Sequence, residues 1–399
     1  MLTRADLNKL PEYVPGRSVP GAIKLASNEV PYGPLPGVAE AIAEAAAMSH
    51  RYPDMAVVAL RERLAKRLGV ATDRIATGCG SVGLTEHLAT VSCHDGDEIM
   101  FSWRSFEAYP IIAATAGAAA VRVPNTAEHG HDLTAMAAAV TDRTRLILVC
   151  NPNNPTGTFL RERELTEFLD AVPTEVLVVL DEAYREFVTD PEVPDGVVRY
   201  GDRPNVVVLR TMSKAWGLAG LRVGYLVAHP EVAAAVRKVV TPFSTSGLAQ
   251  AAALAALKAD AEMRRRAALV VAERERVEVA VRKWLPEVPP TQSNFVWLPL
   301  GDRATEFAAA CEAAGVIVRP FAGDGVRVTI GTAEENDTFL TAAEKYFARP
   351  AGARRKPRRP AAPSLARGSA ASEERASGVD EGRRRAKSRG ARASGASST

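Results

Sequence analysis

Cysteine is scarce in this sequence, and what little there is carries no pattern. Cys79, Cys93, Cys150 and Cys311 form no C-x-x-C pair and keep no regular spacing, which excludes a disulfide scaffold and a zinc knuckle. They read as reduced, mostly buried thiols. Histidine is nearly as sparse, with six in all. His129 and His131 form an isolated H-x-H with no carboxylate or cysteine beside it, and this reads as a polar loop between a strand and a helix rather than a metal site. No apolar run is long enough to cross a bilayer, because the alanine-rich stretches carry charges or break early. The opening Met1-Leu2-Thr3-Arg4-Ala5-Asp6 is polar and no continuous apolar core follows it, so no secretory leader is expected and the cytoplasm is the expected compartment. The dinucleotide fingerprint G-x-G-x-x-G and the P-loop ending G-K-[ST] are missing too. A nucleotide-binding or nucleic-acid-associated protein therefore lacks its usual signatures.

What is present is ordinary for a globular protein: 399 residues, 47% apolar and 24% charged, enough for one large core and a second smaller one. The net charge of +3 misleads until it is divided along the chain. Between Arg354 and Arg392 thirteen Lys and Arg face four Asp and Glu, a surplus of 9 that leaves the remainder at −6. From residue 351 onward the chain is Ala, Gly, Ser, Pro and Arg with almost no large apolar side chain. Such a segment cannot bury enough surface to offset the entropy of ordering, so a disordered basic extension is expected. Its arginine clusters lack interleaved aromatics, so base stacking and a specific nucleic-acid partner are not expected.

Through the body, short β-branched runs alternate with longer amphipathic ones, the pattern of an α/β domain built on a mainly parallel sheet. Strands are expected at Glu98 to Phe101, Ala118 to Val123, Arg145 to Cys150, Glu175 to Leu180, Val206 to Arg210 and Arg222 to Ala228. Helices are expected at Val82 to Val91, Phe106 to Ala114, Leu133 to Val140 with Asp132 as N-cap, and Arg161 to Ala171. Ser246 to Glu287 reads as one long helical region. Short strands at Asn294 to Leu298, Val316 to Arg319 and Val326 to Ile330, with helices at Thr305 to Ala314 and Glu335 to Phe347, then make a smaller α+β unit. The expected division is an N-terminal segment 1–48 packing on the small unit or on a partner subunit, a large domain 49–245, a small domain 246–350 and the tail 351–399.

Three polar features follow three successive apolar strands. Arg145 to Cys150 runs into Asn151-Pro152-Asn153-Asn154-Pro155-Thr156-Gly157, Glu175 to Leu180 into Asp181-Glu182-Ala183-Tyr184, and Val206 to Arg210 into Thr211-Met212-Ser213-Lys214. In open α/β sheets the carboxyl ends of the strands line the ligand crevice, so Asn154, Asp181, Tyr184 and Lys214 converge if those strands are parallel. The residue types suit pyridoxal 5'-phosphate: an amine for the Schiff base, a carboxylate for the pyridine nitrogen, and two donors for the phenolate oxygen. For the phosphate, the backbone N–H groups of Ser81 and Val82 stand at an expected helix start in Gly78-Cys79-Gly80-Ser81-Val82-Gly83. Thr211, Ser213 and Arg222 add hydroxyls and a guanidinium fork near Lys214.

The run Ser213-Lys214-Ala215-Trp216-Gly217-Leu218-Ala219-Gly220-Leu221-Arg222-Val223-Gly224-Tyr225 resembles the cofactor-lysine motif of fold-type I aminotransferases of the histidinol-phosphate branch. Lys24-Leu25-Ala26-Ser27-Asn28-Glu29, Asn151 to Gly157, Asp181 to Tyr184 and Gly331-Thr332-Ala333-Glu334-Glu335-Asn336 match in the same order, so the resemblance spans roughly residues 10 to 345. It implies that Lys214 carries the cofactor and then serves as base and acid of the proton shift, with Asp181 at the pyridine nitrogen and Asn154 and Tyr184 at the phenolate oxygen. It also implies Arg222, Thr211 and Ser213 at the phosphate, Phe106 stacked on the ring, and Tyr52 reaching the phosphate site of a neighbouring subunit in a homodimer with shared active sites. Arg327 resembles the clamp for the substrate carboxylate or phosphate; Asn28, Tyr13 and Arg319 complete the expected substrate set.

The reaction implied is ping-pong amino transfer between an amino acid and a 2-oxo acid, with 2-oxoglutarate as the expected acceptor. A decarboxylase or lyase using the same lysine and aspartate is the neighbouring possibility. Glu12-Tyr13-Val14-Pro15-Gly16, Gly78 to Val82 and Trp103-Arg104-Ser105-Phe106-Glu107-Ala108-Tyr109-Pro110 look like the actinobacterial aromatic amino acid form of the branch. Val82 and Gly83 stand where the histidinol-phosphate form commonly has an Asp-Glu pair. Phenylalanine and tyrosine are therefore the expected donors, with histidinol phosphate the alternative.

Overall fold

The computed structural model describes residues 16–348. Its larger sheet has seven strands: β2 (Ile75–Cys79), β3 (Glu98–Trp103), β4 (Ala119–Pro124), β5 (Thr144–Cys150), β6 (Leu177–Asp181), β7 (Val206–Thr211) and β8 (Val223–Val227). They lie in the order β2-β8-β7-β6-β5-β3-β4. β7, β6, β5, β3 and β4 are mutually parallel, whereas β8 runs antiparallel to both β7 and β2. β5, β6, β7 and β8 are almost entirely buried, which is why they read as continuous Val, Leu and Ile runs rather than as alternating ones.

The smaller sheet has the order β1-β10-β11-β9, made of β1 (Ile23–Leu25), β9 (Phe295–Leu298), β10 (Val316–Phe321) and β11 (Gly325–Thr329). β1 joins β10 in parallel, with Ile23 opposite Val316. β1 thus joins the sheet formed by the later strands, and helix Val38–Ala46 lies against helix Gly247–Lys258.

Several boundaries differ from those expected, for identifiable reasons. The helix expected from Phe106 starts at Tyr109, because Phe106, Glu107 and Ala108 close a turn from Phe106 O to Tyr109 N of 3.0 Å. Pro110, which has no N–H to offer, then occupies the first turn. The strand expected at Glu175 begins at Leu177, since Pro173 to Val176 forms a turn of its own, and Asp181 is its last residue. Arg222 is not the first residue of β8 but a left-handed corner (φ 55°) ahead of it. The long helical region divides into Gly247–Lys258 and Asp260–Arg282 at Ala259, where φ −93° and ψ 28° interrupt the helix and the Asp260 carboxylate meets Arg67 and Arg264. β1, β2 and helices Val58–Leu68 and Pro230–Val239 were not expected from the periodicity of the sequence. Asp132 does cap its helix, accepting from Ala135 N at 2.8 Å. Cys93, Cys150 and Cys311 are buried, whereas Cys79 is exposed. Among the described residues no helix is long and apolar enough to cross a membrane.

Candidate active site

Because β5, β6 and β7 are parallel neighbours, their carboxyl ends lie side by side, with Cys150 paired to Asp181 and Asp181 to Leu209. The three polar segments therefore open into one cavity of about 400 Å³. It gathers Lys214, Asp181, Tyr184, Asn154, Ser81, Val82, Phe106, Thr211, Ser213, Arg222, Asn28, Arg319 and Arg327. Tyr52 lies outside it, 82% exposed and stacked on Phe243 at 4.4 Å. Tyr13 falls outside the described residues.

Asp181 stands at the floor. Its Oδ2 accepts from the Tyr109 hydroxyl at 2.9 Å, while its Oδ1 is buried with no hydrogen-bond partner among the described residues. Burial raises its carboxyl from 3.8 to about 6 against the lowering effect of the Tyr109 bond. Lys214 projects from the corner after β7, and its Nζ donates to Ser27 O at 3.3 Å. Burial and then the nearby Arg327 charge lower its ammonium from 10.5 to about 8, which brings the neutral amine much closer to physiological pH.

One wall is neutral and polar. Tyr184 OH accepts from Asn28 Nδ2 at 2.9 Å, which leaves its own hydrogen for another acceptor. Asn28 holds a left-handed conformation (φ 57°) and accepts from Thr329 Oγ1 at 3.1 Å. Asn154 Oδ1 accepts from Arg327 Nη1 at 2.5 Å, so its amide N–H groups remain to donate elsewhere; Arg327 Nη2 binds Ala26 O at 2.7 Å. The turn carrying Asn154 is fixed by buried Asn153, which accepts from Ser105 Oγ at 2.7 Å and donates to Arg104 O at 3.1 Å.

Opposite lies an anion cradle. Helix Gly80–Ser92 starts at the cavity, and Arg222 Nη1 donates to Ser213 Oγ at 3.1 Å while Thr211 Oγ1 donates to the same oxygen at 3.0 Å. Gly80 holds a left-handed conformation (φ 72°) that favours glycine, and the Arg222 guanidinium packs where a Cβ would lie. Gly224 admits the helix start, since a Cβ there would strike Gly80 and Ser81 backbone. First-turn N–H groups, two hydroxyls and a guanidinium suit a phosphate. Phe106 closes the remaining side, edge-on to Tyr109 at 5.5 Å.

Sequence reasoning passed over Tyr109, Asn153, Glu107 and the Ser27 carbonyl. Tyr109 and Glu107 sit inside a motif already singled out, but no spacing rule couples Tyr109 to a carboxylate 72 positions away.

Comparison with known proteins agrees with this arrangement. Residues 20–342 match the family model described as aminotransferase class I and II. The chain is 57% identical over 347 residues to an aromatic amino acid aminotransferase of Streptomyces avermitilis, covering 86% of this chain and 97% of that one. It is 58% identical over 347 residues to the enzyme of the same name from Rhodococcus jostii, covering 87% and 96%. Among solved structures, histidinol-phosphate aminotransferase from Sinorhizobium meliloti in complex with pyridoxal-5'-phosphate superposes with a TM-score of 0.78 at 28% identity, over 87% of this chain and 97% of that one. Helix start, lysine, buried aspartate and sheet order thus occur together in a chain that belongs to the class I and II aminotransferase family.

Proposed function

We propose that this enzyme is an aromatic amino acid aminotransferase, moving an amino group between phenylalanine or tyrosine and 2-oxoglutarate with pyridoxal 5'-phosphate as cofactor. The observation that carries the chemistry is Asp181 Oδ1, a buried carboxylate oxygen with no partner among the described residues, in one cavity with the lowered amine of Lys214. An acidic oxygen so placed calls for an N–H donor, which a protonated pyridine provides. The cradle at Gly80, Ser213 and Arg222 fits the phosphate. When bound, the cofactor supplies an aldehyde carbon open to amines and a ring that accepts the electron pair left when a substrate bond breaks.

The chain's own residues do the rest. Asp181 holds the proton on the ring nitrogen, and Tyr109 keeps that carboxylate oriented. Tyr184 OH and Asn154 Nδ2 donate to the ring oxygen. Backbone N–H of Ser81 and Val82, with Thr211, Ser213 and Arg222, would hold the phosphate, and Phe106 would pack against the ring. Lys214 Nζ would hold the cofactor and, once the substrate amino group has displaced it, would take the proton from substrate Cα and hand it to the cofactor carbon that bears the substrate nitrogen. Arg327 binds the substrate carboxylate, with Asn28 and Arg319 completing the substrate set in the same cavity.

The aromatic preference is supported by identities of 54 to 58% to several enzymes named for it, each matched over nearly its whole length. Histidinol phosphate is the second reading, favoured by two arginines in one cavity. Exposed Tyr52, with Met48 and Met55 also exposed nearby, supports a homodimer in which Tyr52 enters the neighbouring site. The two sheets support a large domain 49–245 and a small domain 246–350 preceded by the segment 1–48, and a cytoplasmic enzyme accords with the sequence. The test is kcat/KM for phenylalanine, tyrosine and histidinol phosphate with 2-oxoglutarate. The aromatic donors are expected to lead, and a clear advantage for histidinol phosphate would overturn the assignment.

A further inference from the structure

Arg319 on β10 and Arg327 on β11 are directly opposed across an antiparallel pair, so both project from the same face of the smaller sheet into the cavity. Like charges in that relation repel unless each is given a partner. Arg327 donates to Asn154 Oδ1 at 2.5 Å and to Ala26 O at 2.7 Å. Arg319 Nη2 donates to a carboxylate, Glu107 Oε2, at 2.8 Å. Arg327 Nη2 binds Ala26 O, next in the chain to the Ser27 carbonyl that accepts from Lys214 Nζ, which ties Arg327 to the reacting end, whereas Arg319 is tied to Glu107.

Glu107 is held in place for this. It lies in the turn between β3 and helix Tyr109–Thr115, with Arg104 Nη1 3.9 Å from its other oxygen. Arg104 is itself anchored: its Nε donates to Asp324 Oδ2 at 2.6 Å, and its carbonyl accepts from Asn125 and Asn153. Asp324, Arg104, Glu107 and Arg319 form an alternating charge chain between the β3 turn and the β10–β11 hairpin. The Arg319 guanidinium also lies over the Phe321 ring at 5.4 Å, presenting a flat, compensated surface.

We propose that Glu107 is the specificity-determining residue for the substrate's side-chain end, because it occupies Arg319 with a resident carboxylate. An uncharged aromatic side chain leaves that pair intact. A distal phosphate or carboxylate must displace Glu107 from Arg319 and then sit beside its charge. Glu107 is partly exposed, so the displacement is open to a dicarboxylate such as 2-oxoglutarate, at a cost in affinity. The proposal rests on the aminotransferase reading above and deepens it.

The experiment uses holoenzyme and Glu107→Gln, which keeps size and shape. Dissociation constants are measured for two unreactive acids, 3-phenylpropanoate and glutarate, together with steady-state constants for phenylalanine, histidinol phosphate and 2-oxoglutarate. In the variant, glutarate binds tighter, 2-oxoglutarate half-saturates the enzyme at a lower concentration, and kcat/KM for histidinol phosphate rises. Each change is roughly tenfold, the scale of one charge-assisted hydrogen bond, while 3-phenylpropanoate and phenylalanine stay within about twofold. The double variant Glu107→Gln with Arg319→Met loses the glutarate gain. An equal change for both classes, no change for either, or a gain that survives the loss of Arg319 would overturn the proposal. Failure of the parent enzyme to use phenylalanine or tyrosine would instead sink the aromatic reading, and the glutarate to 3-phenylpropanoate affinity ratio would still test Glu107.

Discussion

Replacing Tyr109 by phenylalanine removes one oxygen atom from a fully buried position and leaves the ring packing against Phe101 and Phe106 in place. That oxygen donates to Asp181 Oδ2 at 2.9 Å and opposes the upward push of burial on the carboxyl. A hydrogen bond to a charged group contributes about 1.5–3 kcal/mol, so the carboxylate form of Asp181 is destabilised by that order and its carboxyl rises by about 1–2 units. Less negative charge is then available to a ring N–H on the other oxygen. The expected outcome is weaker cofactor binding and a single-turnover α-deprotonation of phenylalanine slower by roughly tenfold or more. The decisive assay is a double-mutant cycle with Asp181→Asn. An amide oxygen still accepts from Tyr109 but as a neutral partner, so the two substitutions should couple by about 1 kcal/mol, the difference between charged and neutral hydrogen bonds. Additive effects, or an unchanged deprotonation rate in the cofactor-saturated Tyr109→Phe enzyme, would refute the link between Tyr109 and the carboxylate.

Three further outcomes are expected. Lys214→Ala abolishes transamination while far-UV circular dichroism stays that of the parent, because the residue supplies the attacking amine and the proton carrier but little of the packing; stopped-flow absorbance with phenylalanine checks it, and parental rates would remove Lys214 from the mechanism. In the cofactor-free protein the stability contributed by Asp181 is lost as pH rises from about 4 to about 6, since Asp181 binds its proton more tightly folded than unfolded and must shed it there. The loss is on the order of 3 kcal/mol for a carboxyl raised from 3.8 to about 6, and Asp181→Asn should remove that part of the Tm-against-pH slope. Gly80→Ala forces a left-handed residue (φ 72°) with a Cβ against Arg222, a strain on the order of 1–2 kcal/mol. Titration with pyridoxal phosphate should show at least roughly tenfold weaker binding, and parental affinity would move the phosphate elsewhere.

The chemistry of this protein was legible along the chain because the residues that carry it stand at the ends of strands with a plain local signature. Val206 to Thr211 is buried throughout and leads straight to Lys214, and Leu177 to Asp181 ends on the carboxylate itself. Burial on both faces writes such strands as continuous apolar runs, and parallel order then follows from the helices between them. Relations across the fold left no mark of that kind. Ile23 pairs with Val316, β8 runs against its neighbours, and Arg319 faces Arg327 with Glu107 as its partner from outside that sheet. Tyr109 reaches Asp181 across 72 positions, and Tyr52 points out of its own cavity. Residue type and periodicity determined which groups are chemically able and which segments form strands. Packing decided which able groups meet, because a hydrogen bond or an ion pair depends on where two distant backbones are brought together, and only the assembled sheets set that distance.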